Sequence, residues 1–194
     1  MTLTLLPAAD RTAQAWKNGG GLTWPVAVSP EGADLGGFDW RLSLAMVEAE
    51  GPFSAFSGVD RLMLVVDGRL ELGIAGSDRL VLDDSGEAAA FPGDAEAMAW
   101  LPDGPAADIN LMVRRGRFTG VLERRRLQSQ AAIICQDVTF VLSKAGGLAA
   151  TLGTEHCRLG AGDAARVDHA RGGLLRLKTT APDEVIVAHV NAVR

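Results

Sequence analysis

The chain has 194 residues, 47% of them hydrophobic, and a formal net charge of -5. This length and composition allow one ample domain or two small ones, each with a real core. The acidic balance excludes a general attraction to nucleic acid or anionic membranes, since both require a concentrated basic surface. The opening residues do not resemble a signal peptide, and no run reaches the roughly 20 apolar residues of a spanning helix. These features predict a cytoplasmic protein with no membrane partner.

The first unusual segment is WKNGGGLTW, residues 16–24, in which three glycines follow Lys17 and Asn18. A glycine triplet is costly in conformational entropy, so a turn with positive φ or a close backbone approach is expected there. One interpretation is that the backbone at Gly20 and the Asn18 amide bind a carboxylate at a rim. The other interpretation is a purely structural turn. A phosphate loop is excluded, because its motif and its following helix are absent.

Short alternating apolar runs predict β-strands along most of the chain. In residues 41–47, Leu42 and Leu44 share one face, whereas Arg41 and Ser43 share the other. Further strands are predicted at 62–66, 69–74, 80–82, 88–91, 97–101 and 109–113. Gly, Pro, Asp or Ser turns separate them, which is typical of a sandwich or closed barrel. The one helical signal is a turn or two at residues 119–126.

The second half of the chain repeats the first in outline. Strand, Gly-containing turn, strand and polar turn follow one another from Arg61 and again from Asp137, with low residue identity. This order predicts two tandem β-domains, residues 1–118 and 119–194, joined near 114–130. The two cysteines lie outside any C-x-x-C motif, and they are predicted to be small core residues rather than redox or zinc ligands.

Four ordered segments resemble one known family. They are WKNGGGLTW, DWRLSLAMVEAEGPFSAFSGVDRLMLVVDG, FPGD and DINLMVRRG, and together they cover most of the first 120 or so residues. In this order they are similar to the HutD/Ves family of cupin-like proteins. The resemblance implies an all-β, double cupin-like (bicupin) fold and a role in histidine utilisation that is regulatory rather than catalytic.

The metal set of cupin enzymes is missing from the first half. Such enzymes hold a divalent ion with three His and one Glu, including an H-x-H pair before the first hairpin. The corresponding segment, VDRLMLVVDG, has no histidine, and the histidine and asparagine expected after FPGD are also absent. His156, His169 and His189 lie in the second half at spacings that match no ligand motif. Neither a metal nor another cofactor is therefore predicted.

Polar residues on the predicted strands suggest a different kind of site. Arg41 and Ser43 share one strand face, and Asp108 and Asn110 share another. If these faces and Arg61 point inward, they form a cavity in which arginine can hold a small anion bidentately. The alternative is that they face solvent while the leucines form the core. The predicted ligand-binding residues are Asn18, Gly20, Arg41, Ser43, Phe53, Ser54, Arg61, Asp108 and Asn110.

Two of these residues belong to GPFSAFSG, which starts at Gly51 and is predicted to form a second rim segment. Its phenylalanine rings could cover a planar ligand, or they could simply plug the barrel end. A separate arginine-rich segment, RRGRFTGVLERRR, starts at Arg114. It could touch nucleic acid, but no helix-turn-helix follows, and such runs are usually solvated or paired with acids. Nucleic acid is therefore a disfavoured partner.

Three functions remain open at this point. The preferred one is a metal-free cupin that binds a small carboxylate, such as the histidine-degradation intermediates urocanate or formylglutamate, and thereby modulates pathway flux. The second is a metal-independent enzyme with Asp108 as general base and Arg61 stabilising negative charge, although no catalytic residue is assigned. The third is a regulator acting through nucleic-acid or protein contacts. An exposed edge strand near Trp24 also allows a homodimer.

Overall fold

The computed structural model describes residues 1–194, and its regular elements are nineteen β-strands and one short 3₁₀ turn. The backbone divides into two compact units: an N-terminal unit, Thr12–Thr119, and a C-terminal unit that combines Met1–Arg11 with Gly120–Arg194. Strand β1 (Thr2–Leu6) and a short 3₁₀ turn (Ala8–Asp10) open the chain. The chain forms no helix with the length and hydropathy needed to cross a membrane.

The N-terminal unit consists of two antiparallel sheets that share one core. Its strands are β2 (Gln14–Ala15), β3 (Gly21–Ser29), β4 (Trp40–Val47), β5 (Gly51–Pro52), β6 (Val59–Asp67), β7 (Arg69–Ile74), β8 (Leu80–Asp83), β9 (Ala89–Pro92), β10 (Ala97–Trp100) and β11 (Ala106–Arg114). One sheet has the order β2-β3-β4-β11-β6-β9 and the other β5-β10-β7-β8. Their facing side chains, such as Met63 and Val65 from the first and Leu70 and Leu72 from the second, form one apolar cluster.

The C-terminal unit has the same kind of two-sheet architecture. Its strands are β12 (Phe118–Leu127), β13 (Gln130–Ile134), β14 (Val138–Ser143), β15 (Leu148–Leu152), β16 (Glu155–Leu159), β17 (Ala164–Asp168), β18 (Leu174–Thr179) and β19 (Asp183–Ala192). The sheet orders are β1-β17-β14-β19-β12 and β13-β18-β15-β16. Apolar side chains of both sheets, including Val141, Val187, Leu148 and Leu177, fill the space between them.

The pairing scheme of one unit recurs in the other. The order β4-β11-β6-β9 corresponds strand by strand to β12-β19-β14-β17, and β5-β10-β7-β8 corresponds to β13-β18-β15-β16. The units differ at the sheet edges, where β2 and β3 extend the first and β1 extends the second. Low residue identity between the halves does not prevent a shared topology, because many different residues satisfy the same alternation of apolar and polar positions.

Two features of the fold depart from the sequence-based expectations. The predicted helical turn at 119–126 is wrong, because those residues lie within β12 beside β19, where Arg124 pairs with Glu184. Pairing with a neighbouring strand overrides a weak local helical signal. The division of the chain also differs from 1–118 and 119–194 at its start, since β1 pairs with β17 from Thr2↔Asp168 to Leu6↔Ala164.

Candidate functional site

Five polar side chains converge on the inner face of the six-stranded sheet, the face that packs against the four-stranded sheet. They are Arg41, Ser43, Arg61, Asp108 and Asn110, and each is at most 8% exposed. Asn110 lies between Ser43 and Met63 in the register of three adjacent strands, and Met112 lies between Arg41 and Arg61. The two arginines are therefore two strands apart, about 10 Å between backbones, within reach of one small ligand.

The leucines on the opposite face of these strands are also buried. Leu42, Leu64 and Leu111 have no exposed surface, and Ile109 is 3% exposed. Alternation alone could not decide which face is internal, since a sheet buried on both faces carries apolar and polar residues without a solvated side. The polar face is inside the unit, and the alternative of a solvated polar face is excluded.

A chain of hydrogen bonds links Arg61 to Asp108 through Asn110. The Arg61 Nη2 donates to the Asn110 Oδ1 at 3.0 Å, and the Asn110 Nδ2 donates to the Asp108 Oδ1. A guanidinium can only donate, so it fixes the amide with its oxygen toward Arg61 and its NH2 toward the carboxyl group. Asn110 therefore separates the two charged groups instead of allowing a direct ion pair.

Two atoms of the Arg61–Asn110–Asp108 hydrogen-bond network have no hydrogen-bond partner. They are the Arg61 Nε and the Asp108 Oδ2, both fully enclosed. Buried polar groups are nearly always paired, and an unpaired one costs about 1–3 kcal/mol. On the strands that flank Asp108, its register neighbours Ala45 and Val65 offer no side-chain donor. The site thus contains one unused donor and one unused acceptor.

Three phenylalanine rings surround the Arg61 guanidinium. The Arg61 Cζ lies 5.2 Å from the ring centroid of Phe53, 5.7 Å from that of Phe56 and 5.0 Å from that of Phe91. Phe91 is the direct register partner of Arg61 on β9. Contacts between a cation and aromatic rings stabilise the buried charge without using its N–H donors. Phe91 is not among the predicted site residues, because only the β6–β9 pairing brings it to Arg61.

The glycine of the FPGD segment, Gly93, packs tightly against Arg61 and two neighbouring backbone carbonyls. A Cβ on Gly93 would lie 3.0 Å from the Val59 carbonyl oxygen, 3.1 Å from that of Phe56 and 3.3 Å from the Arg61 Cγ. The Gly93 N–H also donates to the Val59 carbonyl at 2.7 Å, and its own carbonyl accepts from the Phe56 N–H at 2.7 Å. This glycine therefore fastens the segment that carries Phe56 over the arginine.

Burial shifts the ionisation of the three charged groups. Loss of solvation raises the pKa of Asp108 to about 7, with a smaller opposing effect of Arg61. Loss of solvation lowers the pKa of Arg61 to about 10, partly offset by Asp108, so Arg61 remains protonated at neutral pH. Burial also lowers the pKa of Arg41. At neutral pH the site therefore contains the positive charge of Arg61 and a carboxyl group, that of Asp108, which titrates near pH 7.

Arg41 has a partner that the sequence pattern does not predict. Its Nη2 donates to the Gln14 Oε1 at 3.2 Å, across the sheet from β4 to β2. Gln14 is itself exposed, so this contact lies toward the outside of the unit. Nothing in the local sequence marks Gln14, because β2 is only two residues long and its position depends on pairing with β3.

The glycine triplet forms a structural turn. The Gly19 N–H donates to the Trp16 carbonyl at 3.0 Å, and Gly19 has φ 71°. The Gly20 N–H donates to the Asn18 Oδ1 at 3.1 Å, so the amide of exposed Asn18 serves its own turn. A Cβ on Gly21 would collide with the Met46 carbonyl oxygen of β4. Asn18 and Gly20 therefore bond to each other within this turn, and Ser54 is exposed.

The turn contributes to the site through Trp16. The Trp16 Nε1 donates to the Thr23 Oγ1 at 2.7 Å, which holds the indole against β3. Its ring meets that of Phe53 edge to face, with centroids 5.9 Å apart. The glycines between the two tryptophans thus allow close backbone packing, which sets an aromatic support behind Phe53.

The polar cluster does not fit the metal ion of cupin enzymes. It offers one carboxyl group, an amide, a hydroxyl and two guanidinium groups. A guanidinium cannot ligate and repels a cation, and three or more His, Cys, Asp or Glu side chains do not come together anywhere in the chain. The donor set of this cluster is suited to an anion instead.

The arginine-rich segment from Arg114 is paired within the fold. Arg114 donates to backbone carbonyls of Gly36, Phe38 and Ser57. Further along, arginines meet acids: Arg115 with Asp60 and Asp94, Arg117 with Asp39, Arg124 and Arg126 with Glu184, and Arg125 with Glu123. These contacts give each guanidinium a structural partner.

The two packed antiparallel sheets of the N-terminal unit define a cupin-like all-β protein. Among solved structures, a cupin 2 conserved barrel domain protein from Leptotrichia buccalis shares this fold with a TM-score of 0.58 over 93% of this chain and 92% of that one, at 10% identity.

The chain belongs to the HutD family, whose model matches residues 8–187. It is 36% identical over 139 residues to an uncharacterised 21.2 kDa protein in the hutC 3' region of Pseudomonas putida, covering 68% of this chain and 71% of the relative. A conserved protein of unknown function from Pseudomonas aeruginosa PAO1 matches with TM-score 0.91 and 30% identity over 98% and 100% of the two chains. HutD from Pseudomonas fluorescens SBW25 matches with TM-score 0.82 and 27% identity over all of both chains. This is therefore a cupin-like protein of a family associated with histidine utilisation.

Proposed function

We propose that the N-terminal unit binds a small carboxylate without a metal ion and that Arg61 is its anchor. The observation that carries the proposal is an arginine residue only 4% exposed whose Nε has no partner. Fully buried arginines are nearly always paired with a carboxylate. Here the one nearby acid, Asp108, is held away by Asn110. A ligand carboxylate would supply the missing counter-ion.

The surroundings of Arg61 favour an anion over a neutral ligand. Arg41 lies on the same inner face and adds a second positive charge, while Asp108 is only partly ionised near neutral pH. The three phenylalanine rings stabilise the guanidinium and leave its unpartnered Nε–H for a planar acceptor. Planar bidentate contacts with carboxylates are the interaction for which arginine is best suited.

The family association suggests which carboxylates to test. Intermediates of histidine degradation, such as urocanate and formylglutamate, are small acids of this type. HutD from P. fluorescens SBW25 has been solved in a formate condition, and formate is the smallest possible carboxylate probe. We propose that binding of such an acid lets this cytoplasmic bicupin modulate histidine utilisation.

Binding can be tested by thermal shift and calorimetry with formate, urocanate and N-formylglutamate. A ligand that binds only the folded state raises the unfolding temperature, and above its Kd the shift grows with the logarithm of the free ligand concentration. Arg61→Ala should weaken binding at least about tenfold, the value of one charge-assisted hydrogen bond. Arg69→Ala, which alters an exposed arginine of the same unit, is the matched control. Unchanged binding by Arg61→Ala would refute the site.

Asp108 gives a specific reason to keep an enzymatic alternative. A carboxyl group with a pKa of about 7 is suited to act as a general base at neutral pH. Incubating the acids with the protein and following them by NMR separates the two functions. Binding without product supports the receptor, whereas product that disappears in Asp108→Asn supports catalysis. Salt-sensitive binding of duplex DNA, with no response to any acid, would instead support a regulator that works by contact.

A further inference from the structure

The unpaired acceptor atom of Asp108 indicates which second polar group the ligand should carry besides its carboxylate. Its Oδ1 already accepts from the Asn110 Nδ2, and the orientation of that amide is fixed by Arg61. Its Oδ2 is enclosed and without a partner. An ionised carboxyl group only accepts hydrogen bonds, so this atom can be satisfied only by a donor.

The side chains directly opposite Asp108 offer no such donor, and its Oδ2 receives no hydrogen bond from the Ser43 hydroxyl of β4. Ala45 and Val65 stand opposite Asp108 on β4 and β6, and the backbone of β11 is irregular between Ala107 and Asp108. Along β11, Asp108 is four residues from Met112, the register partner of Arg61, or about 13 Å of extended strand. Because the Arg61 side chain is long, its guanidinium lies closer to the Asp108 carboxyl group than the backbones do, and the single amide of Asn110 bridges the two groups.

We infer that Asp108 is a specificity-determining residue, which selects carboxylates that carry an N–H donor a few bonds from the carboxylate. This rests on the proposed function, since Arg61 must hold the carboxylate end for the donor to be presented to Asp108. A site with a buried group built to bond a ligand N–H rejects analogues that lack it, because the protein group is then left unpaired. The chemical class is that of N-heteroaryl acrylates and N-acyl amino acids, as opposed to plain carboxylates of the same shape.

The test compares matched acids on the unmodified protein. Urocanate has an imidazole N–H, whereas 3-(2-furyl)acrylate has a ring oxygen in a similar frame. N-formylglutamate and 2-(formyloxy)glutarate, in which an ester oxygen replaces the N–H, form a second pair. Calorimetry at about pH 8, where Asp108 is mostly ionised, should show the N–H member of at least one pair binding about tenfold or more tightly.

Asp108→Asn tests the residue itself. Because the Asn110 NH2 faces position 108, the introduced amide turns its oxygen toward Asn110 and places its own NH2 where Oδ2 was. A donor then replaces an acceptor, so the preference for the N–H ligand should fall about tenfold or reverse. Asp78→Asn, the same change at an exposed turn, should leave the preference unchanged.

The outcomes distinguish the inference from the proposed function. If neither member of either pair binds, the proposed function fails and the inference fails with it. If both members bind with equal affinity and Arg61→Ala abolishes binding, the proposed function stands and the inference is overturned. A preference that persists unchanged in Asp108→Asn also overturns it. Should that variant fail to fold, the comparison of acids on the unmodified protein still decides.

Discussion

The ionisation of Asp108 leads to a stability effect that can be measured without any ligand. Asparagine at this position has nearly the shape of a protonated aspartic acid, and it cannot ionise. We therefore expect the free energies of unfolding of the original protein and of Asp108→Asn to diverge as the pH rises. Other carboxyl groups, including Asp83 and Asp94 with their lowered pKa values, are common to both proteins and cancel in the difference.

The sign follows from the direction of the pKa change. Burial raises the pKa of Asp108 from 3.8 to about 7, so the folded state keeps this proton to a higher pH than the unfolded state does. The resulting stabilisation is complete below about pH 4 and is lost as the pH rises through about 7. The interval between 3.8 and about 7 corresponds to about 4 kcal/mol, of which about 2 kcal/mol is lost between pH 5.5 and pH 8.

The four tryptophans make the assay selective. Trp16, Trp24, Trp40 and Trp100 all lie in the N-terminal unit, so their fluorescence reports on the unfolding of that unit alone. Urea titrations at a series of pH values should show Asp108→Asn gaining about 2 kcal/mol relative to the original protein between pH 5.5 and pH 8. Asp78→Asn, at an exposed position, should run parallel to the original protein.

Two results would refute this reasoning. Parallel profiles for Asp108→Asn and the original protein between pH 5.5 and pH 8 would mean that the pKa of Asp108 is not raised. A divergence of opposite sign below about pH 4 would mean that the carboxylate form is the favoured one, for instance through a direct bond to Arg61 in place of the Asn110 bridge. Either result would also remove the basis for assigning Asp108 a role in ligand selection.

Two further predictions concern backbone contacts. Gly93→Ala should weaken carboxylate binding several-fold, because the added Cβ presses on the Arg61 Cγ and the Phe56 carbonyl. Calorimetry checks this prediction. The control is Gly36→Ala, because the nearest atom to a Cβ at Gly36 is an oxygen of the exposed Asp34 side chain. Leu3→Asp should destabilise the C-terminal unit, because Leu3 packs on its core and pairs with Val167. Faster hydrogen exchange in residues 164–168 with unchanged tryptophan fluorescence is expected, and equal exchange would show that β1 adds no protection.

The local sequence determined a large part of this fold. Period-two alternation in residues 41–47 and 109–113 predicted both strands, and it also predicted that Arg41 shares a face with Ser43 and Asp108 with Asn110. These facts depend only on the pleat of a strand, which every residue imposes on its neighbours. The segments that resemble the HutD/Ves family led to the correct family.

The tertiary structure decided what alternation cannot encode. Strand register placed Phe91 beside Arg61 and the Asn110 amide between Arg61 and Asp108, although Arg61 is far from the other three residues in the chain. It also carried β1 to the edge of β17. These pairings between distant strands depend on how both sheets pack together. The residue pattern of one strand indicates which of its faces is polar, but it does not indicate which strand lies beside it.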